Sequence, residues 1–289
     1  MKVSGVTIIR NAINLDYPIV EAITSILPIC DEFIVAVGDS DDKTEELIKS
    51  ISSDKIKLVH SLWDTTIREG GSVLAEETNK ALDAVSSDTD WCFYIQADEC
   101  VHEQYLPTVI AAMKTHLTNN AVDGLVFNYL HFYGSYDYVA DSRKWYRTEV
   151  RVVRNDKRIR SHGDAQGFRK DRAYLRVKPV DAYIYHYGWV KHPKHQQQKA
   201  KEISKYWHDD EWIRANVGHA DEFDYSRVDS LDKFTGSHPT VMQQRIQSKN
   251  WELHLNTKRK NFTLWQRFLF WFEKLTGWRA FEYKRYKDI

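Results

Sequence analysis

Two adjacent carboxylates, Asp98 and Glu99, follow the short apolar run 91–95. Ionised groups beside a buried strand are costly unless a cation neutralises them, and hard divalent ions with oxygen ligands do this where a diphosphate binds. The structural alternative is that Asp98 caps the next helix or pairs with an arginine. A second polar cluster, Gly38-Asp39-Ser40-Asp41-Asp42-Lys43-Thr44, follows the apolar run 33–37. Its many acceptors suit a nucleobase and ribose, although Asp and Ser are also common in turns simply because they satisfy the turn backbone. In the third cluster, Tyr185-His186-Tyr187-Gly188-Trp189, a histidine ends an apolar run ahead of a glycine and a helix. His186 either completes a metal or diphosphate site with Asp98 or sits satisfied in the core. Tyr187 and Trp189 are candidates to stack on a sugar, and Lys191 and Lys194 to meet phosphate. The histidines His186, His192 and His195 match no zinc spacing and have no cysteine nearby.

The elements that must position these residues follow from periodicity. Apolar runs at 6–9, 33–37, 57–59 and 91–95 read as strands, and helical spacing at 17–27, from Asp41 or Asp42 to about 50, and at 73–85 reads as crossovers. Pro18 falls in the first turn of its helix, where no N–H is missed. Right-handed crossovers close such an order into a doubly wound sheet, whose ligands gather beyond the carboxyl ends of the strands. The polar clusters after 37 and after 95 occupy those positions. The second half is less regular, with strands expected at 124–129, 149–153 and 183–187 and helices at 193–208 and 241–250. No repeat or low-complexity tract interrupts the chain.

These pieces together resemble a family 2 glycosyltransferase of the GT-A fold. The resemblance rests on Ile9-Arg10-Asn11 closing the first strand, on Ser40-x-Asp42-x-Thr44, and on Gln96-Ala97-Asp98-Glu99 standing as an Asp-x-Asp-like site. The run 75–82 resembles the helix leading into that site, and the run 185–189 is similar to a His-Tyr-Gly-Tyr/Trp segment of a bacterial subgroup. Two departures are visible: Gln96 replaces the first acid, and Gly38 stands where a nucleobase-contacting Asp is frequent, with Asp39 one place later. The resemblance implies a GT-A-like doubly wound mixed sheet flanked by helices, with a C-terminal helical extension. It further implies a metal-dependent, inverting transferase that moves a sugar from a nucleotide-diphosphate sugar to a glycan or lipid-linked acceptor hydroxyl, in a bacterial surface polysaccharide pathway. Arg10, Asn11, Asp39, Ser40, Asp42, Gln96 and Ala97 would bind the donor, and Asp98 and His186 would hold Mg or Mn. Direct displacement also needs a base on the acceptor side. Asp164, between glycines in the run 160–168, is the first candidate, with Glu149 at the head of a strand as its rival.

This reading divides the chain into a catalytic domain, 1–240, with a nucleotide-binding half (1–130) and an acceptor half (131–240), and an extension, 241–289. The extension places aromatic residues at helical spacing among basic ones between 262 and 286. That pattern fits either a terminal helix docked on the domain, the plainer reading, or peripheral contact with an anionic membrane leaflet. Forty-one basic residues balance forty-one acidic ones, so no global field points to nucleic acid. The balance hides opposed patches: 143–176 carries twelve Arg/Lys against four acids, and 31–54 carries eight acids against two lysines. Three cysteines and no signal-like or spanning run point to the cytoplasm, peripherally at the inner face of the membrane if the extension docks there. A nucleotidyltransferase would also use strand-end carboxylates, but the run 10–17 has no glycine to cradle phosphate. A non-catalytic carbohydrate-binding protein would use the same aromatics without turnover.

Overall fold

The computed structural model describes residues 1–217 and 220–289. Strands β1 (Val3–Ile9), β2 (Glu32–Gly38), β3 (Ile56–Ser61) and β4 (Trp91–Tyr94) are linked by helices α1 (Ile19–Ile26), α2 (Thr44–Lys49) and α3 (Ser72–Asp83). β1 and β2 are buried along their whole length, which is why they carry mostly apolar runs rather than alternation. All four strands pair in parallel in the order β3-β2-β1-β4. The chain therefore runs outward from β1 to β3 and returns on the other side of β1. That reversal opens a crevice beyond the carboxyl ends of β1 and β4, the position where doubly wound sheets bind ligands. The elements expected in this half are present, with small shifts at their ends.

The second half continues the same sheet with antiparallel strands. After β5 (Glu99–Val101) and α4 (Leu106–Thr115) come β6 (Gly124–Tyr133), β7 (Ser135–Ala140) and β8 (Thr148–Arg154). β8 pairs antiparallel to both β4 and β6, which makes the sheet mixed. β9 (Ile159–His162), β10 (Gly167–Lys170) and β11 (Ala173–Tyr174) form a separate small sheet. Periodicity missed it because its strands are short and carry Arg160, Arg169 and Lys170. The strand expected at 183–187 is the end of a much longer one, β12 (Arg176–Trp189), which runs parallel to β6 and antiparallel to β5.

Helices α5 (Pro193–Ser204) and α6 (Asp210–Asn216) follow, then β13 (Leu231–Lys233), which edges β7. The helix expected at 241–250 is only a 3₁₀ turn and the short α7 (Gln243–Gln247). α8 (Leu264–Thr276) starts with a Thr263/Gln266 capping box and stops at Gly277, whose φ of 71° is left-handed. The chain then turns back, and β14 (Lys287–Asp288) pairs with the start of β12.

Within the basic run 143–176, Arg151 is fully buried while Lys144, Lys157, Arg158, Arg172 and Arg176 are exposed. Arg151 pairs with Glu99, Arg160 with Asp83, and Lys170 and Arg176 with Asp123.

Candidate active site

The crevice beyond β1 and β4 is a cavity of about 490 Å³. Arg10, Gln96, Ala97, Asp98, Asp164 and His186 all line it. Its floor is set by strand pairing. The turn between β4 and β5 carries Asp98, and the antiparallel register of β5 with β12 places His186 opposite Glu99. The Tyr187 N–H donates to the Asp98 carbonyl at 2.7 Å, closing the turn against β12.

Asp98 is buried, and its Oδ2 accepts from Lys199 Nζ at 2.9 Å. Burial opposes ionisation of this carboxyl, but the Lys199 ammonium outweighs it and holds the group below the ordinary carboxylate range. Lys199 comes from α5 and also donates to the Gly188 carbonyl at 3.0 Å. Sequence reasoning missed it. The available signal was the helical spacing of Gln196, Lys199 and Ile203, which turns polar side chains inward from a helix with little apolar face.

The hydrogen-bond network fixes the state of His186. The Tyr146 carbonyl can only accept, so His131 donates to it through Nε2 at 2.8 Å. Burial lowers the pKa of both imidazoles, so each is neutral and His131 Nδ1 carries a lone pair. His186 Nδ1 lies 3.1 Å from that atom and must be the donor. Its Nε2 is then unprotonated and faces Asp98 Oδ1 at 3.7 Å. Two acceptors with no proton between them make a gap that a cation fits, and an imidazole beside a carboxylate is a donor set that divalent metals accept. The gap depends on Gly188. A Cβ there would lie 2.7 Å from His186 Nε2 and 2.8 Å from Asp98 Oδ2. Among the described residues no third His, Cys, Asp or Glu joins this pair, so remaining coordination sites would fall to ligand or water oxygens.

Glu99 corrects the expectation that both adjacent acids grip a cation. Its side chain turns into the core, where Arg151 Nη2 and Nε meet its two oxygens at 2.8 Å each. Both side chains are fully buried. The Tyr129 hydroxyl and the Gln96 N–H complete the shell at 2.8 and 3.0 Å. Glu99 therefore anchors the backbone that presents Asp98.

The turn after β2 sits apart, around a neighbouring cavity of about 380 Å³ lined by Asp39, Ser40 and Asp42. Ser40 Oγ accepts from the Asn11 N–H at 3.0 Å, and Asp42 Oδ2 accepts from the N–H groups of Ile13 and Asn14 at 3.0 and 2.8 Å. Asp42 Oδ1 caps the Thr44 N–H at 2.9 Å. These oxygens stitch the loop after β1 to the turn after β2. The link to the main cavity is Arg10, whose Nε donates to the Asp39 carbonyl at 2.8 Å. Gly38 also has a physical reason: a Cβ there would lie 2.4 Å from Nε1 of Trp63, a side chain that lines the main cavity. Trp63 was not anticipated, and its buried N–H has no partner among the described residues.

The two candidate bases differ in placement. Asp164 lies on the rim of the cavity, with Oδ1 accepting from Arg285 Nη1 at 2.9 Å and from the Gln166 N–H at 3.3 Å. Glu149 lines neither cavity. Burial, only partly offset by Arg151 and Arg285, pushes its carboxyl up to about 7, and its Oε2 is buried without a partner among the described residues. Of the expected stacking and phosphate residues, Trp189 lines the cavity, but Tyr187 and Lys191 do not. Tyr187 stacks on Phe132 at 4.8 Å inside a separate core, Lys191 is buried against the Tyr17 ring, and Lys194 is exposed.

The family model of glycosyl transferase family 2 matches residues 8–174. One similar solved structure is TarS of S. aureus, at 16% identity over 76% of this chain and 41% of that one, with a TM-score of 0.42. Another is glucosyl-3-phosphoglycerate synthase from Mycobacterium tuberculosis, in complex with Mn2+, uridine diphosphate and glucosyl-3-phosphoglycerate. It is 23% identical over 46% of this chain and 45% of that one, with a TM-score of 0.31. The chain thus spans less than half the length of either protein. No curated protein matches it in sequence.

Proposed function

Because the chain belongs to glycosyl transferase family 2, we propose that it transfers a sugar from a nucleoside diphosphate sugar to a hydroxyl of a glycan or lipid-linked acceptor, with inversion and with a divalent cation, Mg or Mn. The observation that carries this reading is the approach of Asp98 Oδ1 and His186 Nε2 to 3.7 Å in the floor of the cavity. Held by these two residues, the cation would supply Lewis-acid stabilisation of the departing diphosphate. Lys199 keeps Asp98 ionised, and His131 keeps the lone pair of His186 turned toward the same gap.

Arg10, Gln96 and Ala97 line the donor side of the cavity. Asn11, Asp39, Ser40 and Asp42 shape its nucleoside end by fixing the loops after β1 and β2. On the acceptor side, the attacking hydroxyl oxygen bonds to the anomeric carbon as the bond to the diphosphate oxygen breaks, and Asp164 takes the hydroxyl proton. Glu149 is the rival for that role: a carboxyl near 7 has a base's strength, but its side chain does not line the cavity. Residues 1–240 make up the catalytic part and 241–289 the extension, and the chain works in the cytoplasm in polysaccharide biosynthesis.

The test is release of UDP or GDP from sugar nucleotides with and without chelator. The reading expects Mn- or Mg-dependent release that Asp98→Asn abolishes. Pyrophosphate release from a nucleoside triphosphate would instead mark a nucleotidyltransferase. Glycan binding indifferent to chelation, with no donor binding, would mark a carbohydrate-binding protein.

A further inference from the structure

We infer that residues 264–283 form a surface that docks on an anionic lipid bilayer. Thirteen large apolar side chains are exposed among the described residues, and eight of them fall in this stretch. An even spread along the chain would put about one there. Five of them are contiguous: Trp265 lies 5.5 Å from Phe268 and 6.5 Å from Phe281, Phe268 lies 6.2 Å from Trp271, and Phe272 bridges Phe268 to Trp278. Scattered exposed apolar residues need no partner, but a contiguous patch does.

The helix in this patch sits the opposite way round from an ordinary surface helix. Leu269 is the one buried residue of α8, with Phe270 and Phe272 half-buried beside it. Polar contact with the body is made by Glu273, whose carboxylate accepts from Arg143 at 2.6 Å and from Arg147 at 3.1 Å. The stripe of Leu264, Phe268, Trp271 and Leu275, at helical spacing, is exposed to solvent.

Charge selects the occupant. The only acids between 258 and 287 are Glu273 and Glu282, and both are engaged by arginines. Lys258, Arg259, Arg267 and Lys274 are exposed and form no ion pair among the described residues. The outward face is therefore aromatic and cationic, the combination that holds an interfacial helix at anionic headgroups, with Trp at the water boundary. A second copy of the chain fits less well, because a two-fold contact through this patch would crowd Arg267 and Lys274 of both copies, four like charges, into one interface. No described helix is long and apolar enough to cross a membrane, so the surface lies on the bilayer rather than in it. Combined with the glycosyl transfer reading, on which this last step rests, the docking favours a lipid-linked acceptor over a free glycan.

The test is flotation of the full chain with phosphatidylglycerol/phosphatidylethanolamine vesicles and with phosphatidylcholine vesicles, with no substrate present, so its outcome is independent of catalysis. Binding to the anionic vesicles is expected, weakening as salt rises. Two variants, Trp265→Ser/Trp271→Ser and Arg267→Gln/Lys274→Gln, are each expected to lose about tenfold in partitioning at an unchanged melting temperature. All four residues are exposed, so folding is spared. The inference is overturned by absence of flotation on anionic vesicles, by equal flotation on neutral ones, or by a dimer that the tryptophan variant splits without changing flotation.

Discussion

The floor of the cavity and its rim each present a carboxylate, Asp98 and Asp164, but the chain holds them by different means. Asp98 lies in a short turn between two strands, closed by the Tyr187 N–H and braced from below by the buried Glu99–Arg151 pair. Asp164 lies in the loop between β9 and β10, where Gly163 and Ala165 have positive φ of 64° and 58°. Its carboxylate accepts from Arg285 of the C-terminal segment and from the Gln166 N–H of its own loop, and Arg151 holds that loop only through the Gln166 carbonyl. A ligand for a cation needs fixed geometry, which backbone pairing supplies. A base that must meet an incoming acceptor can sit on a loop that adjusts.

This contrast is open to attack from both sides. Asp98→Asn is expected to lower turnover about 10³-fold, measured as donor hydrolysis or transfer. Retained turnover would mean that the floor does not serve the chemistry. Next comes the brace beneath it. Arg151→Met strands Glu99 as an unpaired buried charge, and chemical denaturation should show a loss of about 3–5 kcal/mol. A loss near that of an exposed ion pair would show that the floor is not held as described.

At the rim, Asp164→Asn should cut kcat about 10²-fold while leaving donor binding measurable by calorimetry. Unchanged kcat, together with a loss in Glu149→Gln, would move the base to Glu149. The smallest effect concerns stability. The folded-state pKa of Glu149 is raised from 4.5 to about 7, so the folded chain binds this proton more tightly than the unfolded chain. Stability is therefore lost as pH rises through that window. Glu149→Gln should flatten the fall and gain about 2 kcal/mol above it, read from melting curves against pH. A parallel fall in the variant would assign the pH dependence to another group.

The same contrast explains what the sequence made legible. The apolar runs ending at Val37 and Ile95 revealed the parallel strands, and a strand's end fixes where the next residues point, so Asp98 could be placed at the crevice, whereas His186 lies within β12 and reaches it only through the register with β5. Glu99 could not be read correctly, because its partner Arg151 lies 52 residues away and no local pattern links them. Lys199 was hidden in a helix whose polar residues look solvated one by one. The small sheet from β9 to β11 and the tie from Arg285 to Asp164 depend on tertiary contacts between basic segments, which periodicity does not report. Tyr187 misled for a related reason. Strand alternation puts it on the opposite face from His186, in a packed aromatic cluster.

The cation reading of this site rests on Asp98 Oδ1 and His186 Nε2, which face each other at 3.7 Å in the floor of the cavity. Its most direct test is the melting temperature of the wild type and of Asp98→Asn with UDP or GDP, with and without Mn2+, since a ligand that binds only the native state raises it. A rise that needs both nucleotide and Mn2+, and that Asp98→Asn abolishes, is the predicted result. A nucleotide-induced rise of equal size in EDTA, or one that survives in Asp98→Asn, would contradict it.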